Sequence, residues 1–240
     1  FRIPPIFAAQ YSDGSWGPGW NGGNPLARAL VGGSNDETEN YVRAILRANY
    51  EPIPGLMVSA MYAPEYIDTF EKDFNRQYQV FNFETKDLEY TVPDRNSLIQ
   101  QNTRELTHNF NAVATYEKDF GDHFIKGLVG YELITYRNDF FRASRDNFPI
   151  QDFPQLDIGS QDNQQNSGTA FDWGLQSYFA RINYDFKGKY LLEANVRRDG
   201  SSRFAEGNKY GTFPAFSAGW RISEEGFFSG IDLITNLKLR

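Results

Sequence analysis

The run Lys189-Tyr190-Leu191-Leu192-Glu193-Ala194-Asn195-Val196-Arg197-Arg198-Asp199-Gly200-Ser201-Ser202-Arg203-Phe204 decides the fold, together with Lys209-Tyr210-Gly211-Thr212-Phe213-Pro214-Ala215-Phe216-Ser217-Ala218-Gly219-Trp220-Arg221-Ile222-Ser223-Glu224-Glu225. Tyr190, Leu192, Ala194 and Val196 alternate with Glu193, Asn195 and Arg197. Phe216, Ala218, Trp220 and Ile222 then mark the apolar positions of a second segment. A period of two puts successive side chains on opposite faces of a strand, so the stretch reads as two strands joined by a polar, glycine-bearing loop at 199–211.

The alternation continues outward in both directions. Tyr178, Ala180, Ile182, Tyr184 and Phe186 point one way; Ser177, Arg181, Asn183, Asp185 and Lys187 point the other, with Phe179 the apolar exception. The turn Phe186-Lys187-Gly188-Lys189 reverses the chain. Upstream, Val42, Ala44, Leu46, Ala48 and Tyr50 form one face, and Leu56, Val58, Ala60 and Tyr62 another after a Pro-Gly turn. Leu106, His108, Phe110, Ala112, Ala114 and Tyr116 share a third, and Ile125, Val129, Tyr131 and Leu133 a fourth beyond the turn Asp119-Phe120-Gly121-Asp122. Leu233, Thr235, Leu237 and Leu239 begin a last strand. This predicts about eight strands and no helix. Residues 1–38, 63–102 and 138–174 lack periodicity and read as loops.

The connections alternate between short and long, and several strands exceed the usual ~5–6 residues. Transmembrane barrels combine tight turns at one end with long loops at the other, and their tilted strands need about 9–11 residues to span. Tyr50, Tyr62, Tyr116, Tyr184, Phe186 and Tyr190 are expected beside the short turns, as an interfacial aromatic girdle. The expected class is therefore all-β, an antiparallel transmembrane β-barrel segment. The alternative is a soluble or surface-anchored β-sandwich that binds glycans.

Composition narrows the function. The 240 residues carry a net charge of −7 with no cluster of Lys and Arg, which argues against nucleic acid as partner. There is no cysteine, so disulfides and thiolate metal sites are excluded, and two histidines are too few for a His-built metal site. No apolar run reaches the ~18 residues of a membrane helix, and a mean hydropathy of −0.58 suits strands with one polar face plus polar loops. No catalytic constellation, phosphate-cradling loop or metal pattern stands out, so neither an enzyme nor a cofactor is expected.

Candidate sites are sparse. Tyr11, Trp16 and Trp20 lie among glycines in the first loop, where flat rings suit stacking on sugars, clamping a peptide or packing the loop itself. Arg43, Arg47, Arg181, Asn183 and Arg197 occupy polar faces and are expected to line a barrel lumen. Asp199, Gly200, Ser201, Ser202 and Arg203 read as a hairpin turn with a left-handed glycine, steadied by an Asp199–Arg203 pair. Asp152, Asp157, Asp162 and Asp172 are scattered through 138–174 without calcium-loop spacing.

The segment from Arg181 to Glu225 closely resembles the SusC/RagA family of TonB-dependent outer-membrane transporters of Bacteroidetes. The likeness extends to Asn24-Pro25-Leu26-Ala27-Arg28-Ala29, to Tyr50-Glu51-Pro52-Ile53-Pro54-Gly55-Leu56 and to Leu237-Lys238-Leu239-Arg240, covering about residues 24–62 and 104–240. The resemblance implies a plugged barrel of about 22 strands. It implies import of oligosaccharides or peptides driven by TonB, and a SusD-like surface lipoprotein as partner. Neither the family's plug domain nor its TonB-contacting segment finds a match. The chain is accordingly expected to be an internal part of the barrel, running from a first residue that is not Met to a mid-strand end. The resemblance implies an outer-membrane location, with 1–38, 63–102 and 138–174 on the extracellular side.

Overall fold

The computed structural model describes residues 8–19, 23–228 and 235–240. A short helix, α1 (Pro25–Val31), precedes eleven strands among the described residues: β1 (Gly33–Arg43), β2 (Leu46–Ile53), β3 (Leu56–Asn75), β4 (Tyr78–Phe81), β5 (Leu88–Val92), β6 (Ser97–Phe120), β7 (His123–Asp146), β8 (Gln165–Phe186), β9 (Tyr190–Ser201), β10 (Tyr210–Arg221) and β11 (Lys238–Leu239). Nine form one antiparallel sheet in the order β1-β3-β6-β7-β8-β9-β10-β11, with β2 also pairing to β3; β4 and β5 form a separate hairpin.

Three expectations are corrected. The stretches 63–102 and 138–174 are largely strand, because β3, β6, β7 and β8 run for 20, 24, 24 and 22 residues. Residues 1–38 contain α1 and the start of β1. The helix has a clear local cause: the Asn24 side chain accepts from the Ala27 N–H, and proline fills the first helical position, where its missing N–H is no loss. Of the expected last strand, Leu233 lies outside the described residues.

The chain divides into two compact units. The first comprises Phe1–Tyr41, Ile67–Arg104 and Asn138–Ala170; the second comprises Val42–Tyr66, Glu105–Arg137 and Phe171–Arg240.

In the second unit the register fixes the faces. Ala180 pairs with Val196 and Ile182 with Ala194 across β8 and β9; Val196 pairs with Pro214 and Ala194 with Phe216 across β9 and β10. All lie on one apolar face, and they are not covered: Ile182 is 52% exposed, Leu192 55% and Phe216 80%. A sandwich would bury this face under a second sheet, so the alternative fold does not fit. The turn between β8 and β9 has Lys187 and Gly188 at φ of 59° and 67°, the left-handed pair of a tight hairpin.

Two aromatic belts bound the apolar face. Near the short turns, His123 Nδ1 lies 2.7 Å from the Tyr184 hydroxyl, and ring contacts run from His123 to Phe186, from Phe186 to Tyr190 and from Tyr190 to Trp220. At the far end, the Tyr62 hydroxyl lies 2.6 Å from His108 Nδ1, and rings meet from Phe110 to Tyr131 and from Tyr131 to Tyr178. Gln176 Nε2 donates to the hydroxyls of Tyr131 and Tyr178, and the Tyr210 hydroxyl donates to Gln176 Oε1 at 2.7 Å. Tyr62 therefore belongs to the far belt, not beside the short turns as expected. From Tyr178 to Phe186 the separation is about 26 Å along the strand, or about 20 Å at a 40° tilt, close to the ~25 Å apolar band of a membrane barrel.

The first unit holds two small buried clusters. Ala27, Tyr78 and Val80 form one cluster with Trp16, Val31, Tyr90 and Val92 packed against it. Phe74, Leu98 and Phe148 form a second, flanked by Leu156 and Ile158, with the Phe74 and Phe148 rings edge to face at 5.7 Å. Asn96 ties this second cluster down. Its Nδ2 donates to the Phe148 carbonyl at 2.9 Å, and its Oδ1 accepts from the Phe148 N–H at 2.6 Å.

Candidate functional site

The polar face of the second unit is a lattice of paired charges and amides. Arg181 Nε donates to Asn195 Oδ1 at 2.5 Å; Asn195 and Asn183 both donate to the Glu193 carboxylate, at 2.7 and 2.6 Å. One level higher, Arg197 donates to Asp199 at 2.6 Å, to Glu132 at 2.9 Å and to Ser177 at 3.0 Å, with its guanidinium 5.5 Å from the Phe179 ring centre. Register accounts for these groupings: Arg181 pairs with Asn195, Asn183 with Glu193, Ser177 with Asp199 and Phe179 with Arg197. On the other flank Arg43 Nε lies 3.7 Å from Glu65, and Arg47 Nη2 donates to the Met61 sulfur. All five predicted polar-face residues thus sit on the sheet, each with a partner. Alternation alone revealed the face; the partners needed the register.

Higher on this face stands an aromatic rib that the sequence reading did not single out. Tyr136 and Trp173 stack with centroids 5.4 Å apart and planes 21° apart, and Phe171 approaches Tyr136 at 5.8 Å. The Tyr136 hydroxyl donates to Glu105 at 2.7 Å. Arg203 lies over the Trp173 ring at 4.8 Å. The signal was available: Phe171 and Trp173 have the parity of Ser177, Phe179 and Arg181, and so belong to the wet face.

The segment 199–203 departs from expectation. Asp199, Gly200 and Ser201 are strand, and Gly200 is not left-handed; Gly207, at φ 87°, is the turn glycine. Gly200 is glycine because the Tyr210 ring of the paired strand lies over the space a Cβ would fill. Asp199 is paired with Arg197, not Arg203. Ser202 stitches the segment to β8: its N–H donates to the Gly174 carbonyl at 2.9 Å, and its Oγ accepts from the Gly174 N–H at 2.8 Å.

In the first unit Tyr11 is buried, and its hydroxyl donates to the Phe81 carbonyl at 3.1 Å, while the Lys86 ammonium lies 4.2 Å over its ring. Trp16 packs against the Ala27–Tyr78–Val80 cluster. Tyr11 and Trp16 thus both take part in packing, the first buried and the second half-buried; Trp20 lies outside the described residues. Burial pushes the phenols of Tyr11, Tyr78 and Tyr90 up. Among the scattered aspartates Asp152 pairs with Arg76 at 2.6 Å, and no group of three or more acidic or His side chains suited to a metal occurs among the described residues.

Beside the short turns, Glu225 accepts from the Tyr190 hydroxyl at 2.6 Å, the Trp220 indole at 3.1 Å and Lys189 at 3.1 Å. These donors, Tyr190 first, hold its carboxyl below the usual range.

An apolar groove of about 650 Å³, floored by Ala114, Gly127, Ala180 and Ala194, opens on the face bounded by the belts. Its lining is mostly apolar, although Arg181 and Asn195 of the polar lattice also border it.

Comparison with known proteins agrees with this geometry. No family model matches the chain. It is 34% identical over 222 residues to the TonB-dependent receptor P39 of Formosa agariphila, an alignment covering 90% of this chain and 20% of the relative. It is 29% identical over 252 residues to receptor P3 of the same organism, covering all of this chain and 23% of the relative. With the TonB-dependent receptor SusC of Bacteroides thetaiotaomicron it shares 26% over 225 residues, again 90% of this chain and 20% of the relative. The RagAB peptide importer in its "open-open" state superposes with a TM-score of 0.72 at 21% identity, over 90% of this chain and 23% of that one. The chain is thus similar over nearly its whole length to TonB-dependent receptors of the SusC kind and has the fold of part of their barrel, while spanning about a fifth of the length of those relatives.

Proposed function

We propose that this chain forms part of the wall of a TonB-dependent importer in the outer membrane, and that the cargo is an oligosaccharide or a peptide. The observation that carries this reading is the pair of faces on one sheet. One is apolar, uncovered and bounded by aromatic belts at membrane spacing; the other is wet and laced with paired charges. A sheet facing lipid on one side and an aqueous interior on the other needs this division. The mechanism is gated passage, not bond chemistry: the apolar face anchors the wall in lipid, and the polar lattice keeps the inner face rigid and hydrated. TonB supplies the energy, and a SusD-like surface lipoprotein closes the outer mouth. The first unit, folded around its own two clusters, stands on the extracellular side and presents surface to that lipoprotein.

The test is to purify the native protein from outer membranes in mild detergent and identify what accompanies it. The expected result is a membrane-extracted protein several times longer than this chain, with a lipoprotein bound and cargo uptake that disappears when TonB is deleted. A water-soluble species with no partner would overturn the reading. Because this chain has no cysteine, single cysteines introduced one at a time into each unit report sidedness. Labelling of intact cells at position 153 but not at position 187 is expected.

A further inference from the structure

We propose that the Tyr136–Trp173–Arg203 rib is a cargo-binding site for the carboxylate of an acidic oligosaccharide. The proposal rests on the reading above, in which this face lines the transport path.

Three observations carry it. First, Arg203 is held in place by its surroundings. Ser201 pairs with Leu175, Ser202 exchanges two hydrogen bonds with Gly174, and the guanidinium lies over Trp173 at 4.8 Å. The guanidinium lies over the ring while Arg203 remains exposed, so N–H donors of its fork are available to a ligand. Second, those donors have no carboxylate partner among the described residues. Arg197, one step lower on the same face, has two, Glu132 and Asp199. Third, Trp173 is half-buried, and its indole makes no hydrogen bond among the described residues, although buried indoles usually find an acceptor. A guanidinium with no carboxylate partner, beside an aromatic rib on the polar face, suits the two oxygens of a ligand carboxylate.

The aromatic surroundings select the carrier of that carboxylate. Phe171, 53% exposed, lies two residues from Trp173 on the same face of β8, and on the far side Tyr136 is anchored to Glu105. A uronic acid carries its carboxylate on the sugar ring itself. Its flat CH face can rest on Phe171 while the charge meets Arg203, and its hydroxyls find Glu105 as acceptor. A peptide's acidic group hangs on a flexible chain and offers no such face.

The experiment uses the full transporter with its lipoprotein in detergent, measured by calorimetry against trigalacturonate, neutral maltotriose and triglutamate. Trigalacturonate is expected to bind about tenfold or more tighter than maltotriose, the scale of a charge-assisted hydrogen bond, and to weaken with added salt. Arg203→Gln is expected to remove that preference at unchanged melting temperature, and Arg203→Lys to retain part of it. If Arg203→Gln is unstable, Trp173→Phe serves instead, losing the indole donor while keeping a ring under the guanidinium. Equal binding of trigalacturonate and maltotriose, or no effect of Arg203→Gln in a stable protein, overturns the site. Triglutamate binding as tightly as trigalacturonate overturns the sugar assignment. These failures differ from failure of the underlying reading, which would appear as an absence of TonB-dependent uptake of any cargo.

Discussion

Among the described residues, both buried hydrophobic clusters belong to the first unit and none to the second. In the first, Leu98, Val80 and Phe148 are buried and make small cores such as a water-soluble protein has. In the second, Ile182, Leu192 and Phe216 stand uncovered along a flat face. The strands that run through both, β3, β6, β7 and β8, change character along their length without changing secondary structure. The lesson is that the solvent, not the strand, sets the pattern. In the proposed importer wall, the apolar face of the second unit meets hydrocarbon, which tolerates apolar exposure, whereas water favours the burial seen in the first.

The sharpest way to break this comparison is to truncate one leucine in each unit. Leu98→Ala should destabilise the first unit by about 2–5 kcal/mol, the range for a fully buried leucine. Leu192→Ala should cost well under half as much, because lipid fills the space left behind. Thermal melting and limited proteolysis of detergent-purified protein measure both, and equal losses would abolish the distinction. Nearly as large, Ile182→Arg should cost about 2–4 kcal/mol near the membrane midplane. Asn183→Arg should be mild, because an arginine there still reaches Glu193. Refolding titrations into lipid would show whether the two neighbours part company. Smaller again, Asn24→Ala should cost about 1–3 kcal/mol in the first unit. It removes a helix cap, takes one of two donors from the Ala9 carbonyl and removes the Asn24 donor from the Gly17 carbonyl. Increased proteolysis confined to that unit is the expected sign.

The smallest effect concerns pH at the other end of the second unit. Glu225 is held below its ordinary carboxyl value of 4.5 by Tyr190, Trp220 and Lys189. The folded protein therefore binds fewer protons there than the unfolded chain. The contribution is fully present above the ordinary value and is lost as pH falls through the lowered one. Glu225→Gln should flatten that part of the melting-temperature profile, and an unchanged profile would show the carboxylate to be immaterial.

What the sequence disclosed follows the same boundary. From Ser177 to Val196 one face is apolar and the other polar, the alternation is broken mainly at Phe179, and both faces could be read directly. Between Gln165 and Asp172 both faces of β8 are wet, alternation disappears, and the strand looks like loop. Helix α1 carried its signal in Asn24-Pro25, but seven residues are too few for an apolar period to emerge. Tyr11 and Trp16 were visible as aromatics among glycines. Whether such rings pack or bind depends on Phe81, Ala27 and Val80, which reach them from distant strands and nearby helix alike. Arg203 was visible as part of a motif, but its role turned on which residue faced it across the hairpin.

Gly130 lies under the ring of Phe179, as Gly200 lies under that of Tyr210. Each pair works as a key and its seat. Slide β8 against β7 by two residues and the ring arrives over Leu128 or Glu132, where a side chain already occupies the seat. A long ladder of near-identical rungs has many ways to mispair, and backbone hydrogen bonds alone scarcely tell them apart. Two empty seats, each cut for one ring, allow these strands to close in one alignment only.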